Sequence, residues 1–277
     1  MTKPYAEVIG DPIAHSKSPL IHNFWLGKLG IDAEYRACHV RPDELADYFA
    51  ARRKDPLWRG CNVTIPHKER IVPFVDTVRE VASKIGAINT VFRHPDEGFA
   101  ATNTDADGVR EALRGVGLAA RPVLVIGAGG AARAAFAHLE GLGCGEVRVL
   151  ARNTAKVEAV LDHFRLPSRI LPFDAGRSAF DDVALVINAS QLGMVGQQAM
   201  PLFVLDELSR SAKDCHVFDM VYAPLETDLL RRASQLVRTT SHGLTMLIGQ
   251  ARTAFSRFFG EVPGASFDDA LFRLLTT

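Results

Sequence analysis

Short, largely apolar runs recur along the second half of the chain. Val123-Leu124-Val125-Ile126 and residues 184–188 and 216–222 each read as a buried strand, residues 146–150 and 169–173 read as strands, and a short strand near Val237 ends the series. Segments of helical periodicity fall between them, at 131–142, 156–164 and 225–233. This alternation predicts a doubly wound sheet of parallel strands. Two further helices are expected at 245–259 and 268–275.

The first half carries a second set of elements. Strands are expected at 5–9, 34–40 and 61–63, and a strand pair at 88–93 and 98–103 with its turn at 95–98. Helices are expected at 19–29, 43–53, 78–85 and 109–113. Ser18 and Pro19 suit the N-cap and first residue of the first helix, and Gly30 suits its stop. Pro66 is expected to open another helix, with Lys68 in its first turn.

The run from Val123 leads into Gly127, Ala128, Gly129, Gly130 and Ala131, so strand, glycine turn and helix follow one another. Gly127, Gly129 and Ala132 match the G-x-G-x-x-[GA] dinucleotide pattern. Gly127 would allow the tight turn, Gly129 the approach of a pyrophosphate, and Ala132 close packing of helix on strand. N–H groups and the dipole at the helix start favour the phosphates. A NAD site usually has Asp or Glu at the end of the following strand. Here Ala151-Arg152-Asn153-Thr154-Ala155-Lys156 holds no acid, and Arg152 and Lys156 read as one helical turn apart. Two cations there suit the 2′-phosphate of NADP.

In the first half, Ser16 and Ser18 place two hydroxyls beside a helix start, a setting that suits a carboxylate. A cation at Lys68 would oppose its helix's dipole, which favours the neutral amine and proton transfer near neutral pH; the plain alternative is an exposed helix lysine. Asp105 reads first as a cap for the helix that follows it.

Composition narrows the classes. The chain has 277 residues, 47% of them hydrophobic, and zero formal net charge. Charge neutrality gives no support for nucleic acid or an anionic membrane as partner. No apolar run has the length of a membrane span, and no signal-like segment follows Met1-Thr2-Lys3-Pro4. Cys38, Cys61, Cys144 and Cys215 are scattered, as expected of free thiols in a reducing cytoplasm. The His residues form no metal-binding pattern, so no metal is expected.

Seven segments together resemble the shikimate dehydrogenase family, nearly end to end. They are residues 10–23 (GDPIAHSKSPLIHN), 60–68 (GCNVTIPHK), 85–90 (IGAINT), 103–108 (NTDADG), the 127–133 turn, 219–224 (DMVYAP) and 243–251 (GLTMLIGQA). The resemblance implies reversible, NADP-dependent reduction of 3-dehydroshikimate to shikimate, on the route to aromatic amino acids. It implies two α/β domains with a cleft between them. One is a substrate domain, 1–104, completed by 241–277; the other is a Rossmann-type dinucleotide-binding domain, 105–240. Ser16 and Ser18 would hold the substrate carboxylate. Asn62, Thr64, Asn89, Asp105 and Gln250 would bind ring hydroxyls and the reacting oxygen. Lys68 would be the acid/base with Asp105 close by, and Tyr222 would flank the substrate. Arg152, Asn153 and Lys156 would hold the adenosine end, and Met220, Gly243 and Met246 the nicotinamide.

The chain departs from the family pattern in places. Ala151 stands where Asn is common, Asn153 where Thr is common, Ser190-Gln191 where Thr-Pro is frequent, and Phe259 where Trp is usual. Thr245 replaces a frequent Gly, and its side chain could crowd the cofactor or reshape the helix start. A quinate/shikimate dehydrogenase with broader substrate or NAD use and a binding protein without turnover are the alternatives. A monomer and a homodimer both stay open.

Overall fold

The computed structural model describes residues 3–173 and 176–276. The chain divides into two compact units, Met1–Thr104 with Gln250–Thr277, and Asp105–Gly249. The division falls at 249/250, where the sequence reading has the return to the first unit at 241.

The first unit is built on six strands: β1 (Tyr5–Gly10), β2 (Glu34–His39), β3 (Trp58–Val63), β4 (Thr77–Val78), β5 (Thr90–His94) and β6 (Gly98–Thr102). They lie in the order β2-β1-β3-β5-β6-β4. β1 is parallel to β2 and β3, and β5 is antiparallel to β3 and β6. Helices α1 (Ser18–Leu29), α2 (Leu45–Lys54) and α3 (Glu80–Ile85) belong to this unit. β3 starts earlier than the reading that took Gly60 as its boundary. A Cβ at Gly60 would collide with the Val91 carbonyl and the Phe258 ring, so the glycine permits close packing and does not break the strand.

The second unit begins with α4 (Asp105–Ala112). Its sheet comprises β7 (Val123–Ile126), β8 (Val147–Ala151), β9 (Ser168–Pro172), β10 (Leu185–Asn188), β11 (His216–Asp219) and β12 (Thr239–His242). All are parallel, in the order β12-β11-β10-β7-β8-β9. Counted from β7, this is the 3-2-1-4-5-6 order of the dinucleotide fold. Helices α5 (Gly130–Glu140), α6 (Thr154–Leu161), α7 (Leu202–Glu207) and α8 (Asp228–Gln235) connect the strands. Val123 and Val125 face a cluster with α4, α5 and α6, while Leu124 and Ile126 face one with α7 and α8. Burial on both faces explains why β7 reads as an unbroken apolar run. The short strand expected near Val237 is β12; Val237 itself is 87% exposed at φ +57° and turns the chain toward it.

The chain ends in α9 (Gly243–Phe259) and α10 (Asp268–Thr276). No helix of the described residues is long and apolar enough to cross a membrane.

Candidate active site

β1 and β3 run parallel and end at one edge of their sheet, at Gly10 and Val63; antiparallel β5 starts at that edge, and β6 returns to it. The topology thereby collects Asn62 and Thr64 at the end of β3, Asn89 before β5 and Thr104 after β6, from three separate stretches. A directed chain of hydrogen bonds joins Asn62, Asn89 and Thr104. Tyr35 OH donates to Asn62 Oδ1 at 2.6 Å, Asn62 Nδ2 to Thr90 Oγ1 at 3.0 Å, and Thr90 Oγ1 to Asn89 Oδ1 at 2.9 Å. Asn89 Nδ2 donates to Thr104 Oγ1 at 3.1 Å, and Thr104 Oγ1 to Gln250 Oε1 at 3.2 Å. All six residues are buried, so each amide is held in one orientation by neutral partners. A set of amides and hydroxyls held in fixed directions suits alcohol oxygens as ligands.

Gly10 packs beside Thr64, where a Cβ would meet the Thr64 side chain, and the Asp11 N–H donates to the Ile65 carbonyl at 3.1 Å. The loop that follows carries Ser16 and Ser18 to the start of α1. Ser18 is not the N-cap that the sequence suggested. It is the first residue of α1, and Ser16 Oγ accepts from its N–H at 3.3 Å. The two serines still lie together at a helix start.

Lys68 does not stand in a helix. The carbonyls of Thr64 and His67 accept from residues three further on, at 2.9 and 2.8 Å, in successive turns. The Lys68 carbonyl is taken by the Ile88 N–H at 2.7 Å. Pro73, which lacks an N–H, would also disrupt a helix continued from Pro66. The helix-dipole argument for Lys68 therefore fails, although its half-buried place next to the Ile88–Asn89 backbone stands. Asp105 is the first residue of α4, in the second unit, and is a helix residue, not the cap that precedes it.

In the second unit, Gly127 has φ +96°, and a Cβ there would come within 3.1 Å of Ser190 Cβ and 3.2 Å of the Ala189 carbonyl. Glycine alone meets both demands. Gly129 precedes α5 and Gly130 opens it; a Cβ at either would meet nothing within 4 Å. Exposed backbone N–H groups at the start of an eleven-residue helix, with open space before them, fit a dinucleotide pyrophosphate. Ala128 and Ala131 are half-buried beside this space, and Ala132 is fully buried against the sheet.

Arg152 follows β8 directly, and Asn153 caps α6, its Oδ1 accepting from the Lys156 N–H at 3.0 Å. Arg152 thus lies outside the helix and Lys156 within its first turn, a correction to the one-turn spacing. Both side chains are exposed at the strand end where an acid would select NAD. At the β11 end, the Gly243 N–H donates to the Val221 carbonyl at 3.2 Å, and a Cβ on Gly243 would collide with the Met220 carbonyl. Met220 and Met246 are half-buried against the same core cluster, and Tyr222 is 39% exposed.

Comparison with known proteins gives the family. Residues 8–91 match the model of the shikimate dehydrogenase substrate binding domain, and residues 110–201 match that of shikimate / quinate 5-dehydrogenase. A shikimate dehydrogenase (NADP(+)) of Sphingopyxis alaskensis is 47% identical over 98% of this chain and 97% of its own. The chain belongs to the shikimate dehydrogenase family. An Acidiphilium cryptum relative of the same name is 41% identical over 97% of this chain and 94% of its own. Among solved structures, a Thermus thermophilus shikimate 5-dehydrogenase in complex with NADP(H) and shikimate has TM-score 0.84 and 33% identity, covering 98% of this chain and 99% of that one. A Listeria monocytogenes shikimate 5-dehydrogenase in complex with shikimate and NAD has TM-score 0.88 and 28% identity, covering 99% of this chain and 96% of that one.

Several contributors escaped the sequence reading of this shikimate dehydrogenase family chain. Thr104 sits inside a quoted motif, yet its link from Asn89 to Gln250 is visible only in three dimensions. Tyr35 reads simply as a strand residue, and Thr90, though it ends a quoted motif, is given no role. Asn188 and Asp219 left a signal that went unused: each ends an apolar strand with a buried polar side chain at the carboxyl edge.

Proposed function

We propose that this chain catalyses the reversible, NADP-dependent reduction of 3-dehydroshikimate to shikimate. The observation that carries the reading is the buried chain Asn62–Thr90–Asn89–Thr104–Gln250, a preset group of amides and hydroxyls suited to a polyhydroxylated ring. Residues 1–104 with 250–277 hold the substrate, and residues 105–249 hold the dinucleotide, a boundary moved from 240/241 to follow the division of the fold. Ser16 and Ser18 take the substrate carboxylate. Asn62, Thr64, Asn89, Asp105 and Gln250 take the ring oxygens, and Tyr222 flanks the ring.

Gly127 through Ala131 cradle the pyrophosphate, Arg152 and Lys156 pair with the 2′-phosphate beside Asn153, and Met220, Gly243 and Met246 line the nicotinamide. When bound, NADP supplies or accepts the hydride at the substrate carbon that bears the reacting oxygen. Lys68 Nζ moves the proton: as ammonium it donates to that oxygen in reduction, and as amine it accepts in oxidation. Asp105 orients the substrate by hydrogen bonding and steadies the ammonium. The reaction serves biosynthesis of aromatic amino acids in the cytoplasm, by a monomer or homodimer.

The test is turnover of purified protein with shikimate or quinate, each with NADP⁺ or NAD⁺, followed by appearance of the reduced cofactor. Shikimate with NADP⁺ is the fastest pair under this reading. Comparable turnover of quinate would make the chain a broader quinate and shikimate enzyme. No reduced cofactor with any pair would leave only a binding role.

A further inference from the structure

Asn188 and Asp219 end β10 and β11, stand opposite each other in register, and are both fully buried. The Asp219 carboxylate is held by three neutral donors. Its Oδ1 accepts from Asn188 Nδ2 at 2.9 Å and from the Val221 N–H at 3.0 Å, and its Oδ2 accepts from the Thr227 hydroxyl at 2.6 Å. Burying a carboxylate among neutral groups is costly, and an apolar residue would pack this strand end without that cost. Its three bonds indicate what the acid is for.

One bond leads toward the nicotinamide side. The Val221 N–H bound by Asp219 belongs to the residue whose carbonyl accepts from the Gly243 N–H at 3.2 Å. Gly243 in turn sits against the Met220 carbonyl too closely for any side chain. Another bond leads toward the phosphate turn. Asn188, fixed by Asp219, accepts through Oδ1 from the Ser190 N–H at 3.1 Å and from the Ser190 hydroxyl at 2.6 Å. Ser190 Cβ lies 3.1 Å from where a Cβ on Gly127 would be, so it forms the wall behind that turn.

We infer that Asp219 is a positioning residue for the dinucleotide, tying the wall behind Gly127 and the Met220–Gly243 strip to one buried carboxylate. The inference rests on the cofactor placement proposed above. Asp219 does not touch the cofactor; it sets the spacing of two backbone segments that do. A carboxylate suits the task because it accepts several hydrogen bonds at once. Asparagine keeps Oδ1 for Asn188 and Val221, with its amide nitrogen facing the Thr227 oxygen. Alanine leaves the Val221 N–H and the Thr227 hydroxyl without this acceptor, and leaves Asn188 Nδ2 only the Leu192 carbonyl, at 3.1 Å.

The test is calorimetric titration of the purified full chain with NADP⁺, alongside KM values for NADP⁺ and shikimate. Losing a buried acceptor predicts that Asp219→Ala weakens NADP⁺ binding about tenfold or more, with the KM for shikimate little changed. Asp219→Asn is expected to stay within about threefold of wild type, because it retains the shared acceptor. Val204→Ala truncates a fully buried side chain of the same unit and serves as the control for lost stability; it is expected to lower the melting temperature and leave NADP⁺ affinity within about twofold. Asp219→Ala within threefold of wild type, or Val204→Ala as weak as Asp219→Ala, would overturn the inference.

Should Asp219→Ala not fold, Asn188→Ala cuts the link to Ser190 and is expected to weaken NADP⁺ binding by about fivefold. Wild-type affinity in that variant would overturn the inference equally. Wild-type protein that binds no NADP⁺ would instead remove the functional reading itself.

Discussion

The Thr245 hydroxyl lies 3.3 Å from Nδ1 of His242, the residue that ends β12 just before α9. Thr245 replaces a frequent glycine of the family, and its side chain threatened to crowd the nicotinamide end. The contact turns the hydroxyl back toward the strand, and α9 begins at Gly243. Burial lowers the His242 pKa, which favours the neutral ring with one nitrogen available as an acceptor. The pair thus selects between the two χ1 rotamers open to a helical threonine.

Thr245→Val keeps the volume and loses the bond. It is expected to raise the KM for NADP⁺ by about 2–10-fold, the equivalent of one hydrogen bond of roughly 0.5–1.5 kcal/mol. Thr245→Ser keeps the hydroxyl and is expected to match wild type. Equal KM values for the two variants would show that the bond with His242 has no part in cofactor binding.

Arg152 follows β8 at the place where an acid would meet the ribose hydroxyls of NAD. Arg152→Ala is expected to raise the KM for NADP⁺ about tenfold or more, since a charge-assisted contact is worth roughly 1.5–3 kcal/mol. The KM for NAD⁺ should move far less. Steady-state kinetics with both cofactors checks this, and parallel increases would refute the 2′-phosphate assignment.

Two buried groups set opposing pH dependences of stability. His22 is fully buried and stacks on Tyr35 at 4.0 Å, and neither ring nitrogen has a hydrogen-bond partner among the described residues. Burial lowers its pKa from 6.5 to about 3. Between those values the unfolded chain binds the proton and the folded one does not, so stability falls as pH drops through this window, by about 5 kcal/mol at the limit. Burial raises the Asp219 pKa from 3.8 to about 6. There the folded chain binds the extra proton, so this contribution falls as pH rises through that window, by roughly 3 kcal/mol. Urea unfolding between pH 4 and 7, at intervals, separates them. His22→Phe should remove the acid loss, and Asp219→Asn should steepen the net decline on acidification. Unchanged slopes in both variants would contradict the assignment.

Much of this was legible in the sequence because burial on both faces leaves runs such as Val123–Ile126 without a polar residue. The glycine turn was legible for a related reason: Gly127 meets backbone and Gly129 must leave backbone exposed, and both demands select the same residue type. The helix expected from Pro66 failed because a distant amide, that of Ile88, takes the carbonyl of Lys68. No local pattern announces such pairing. The same limit hid Thr104 and Tyr35, whose partners are 146 and 27 residues away along the chain. Local preference wrote the elements, while the polar connections at the sheet edges depend on strand order.

The proposed proton transfer rests on one amine, that of Lys68. The decisive measurement is kcat for shikimate oxidation in Lys68→Ala, with the shikimate dissociation constant measured by titration on the same protein. Loss of a general acid–base group predicts a fall in kcat of about 10²–10⁴-fold, with binding changed by only a few-fold. A variant that turns over within a few-fold of wild type would place the proton transfer on another group and contradict the mechanism proposed here.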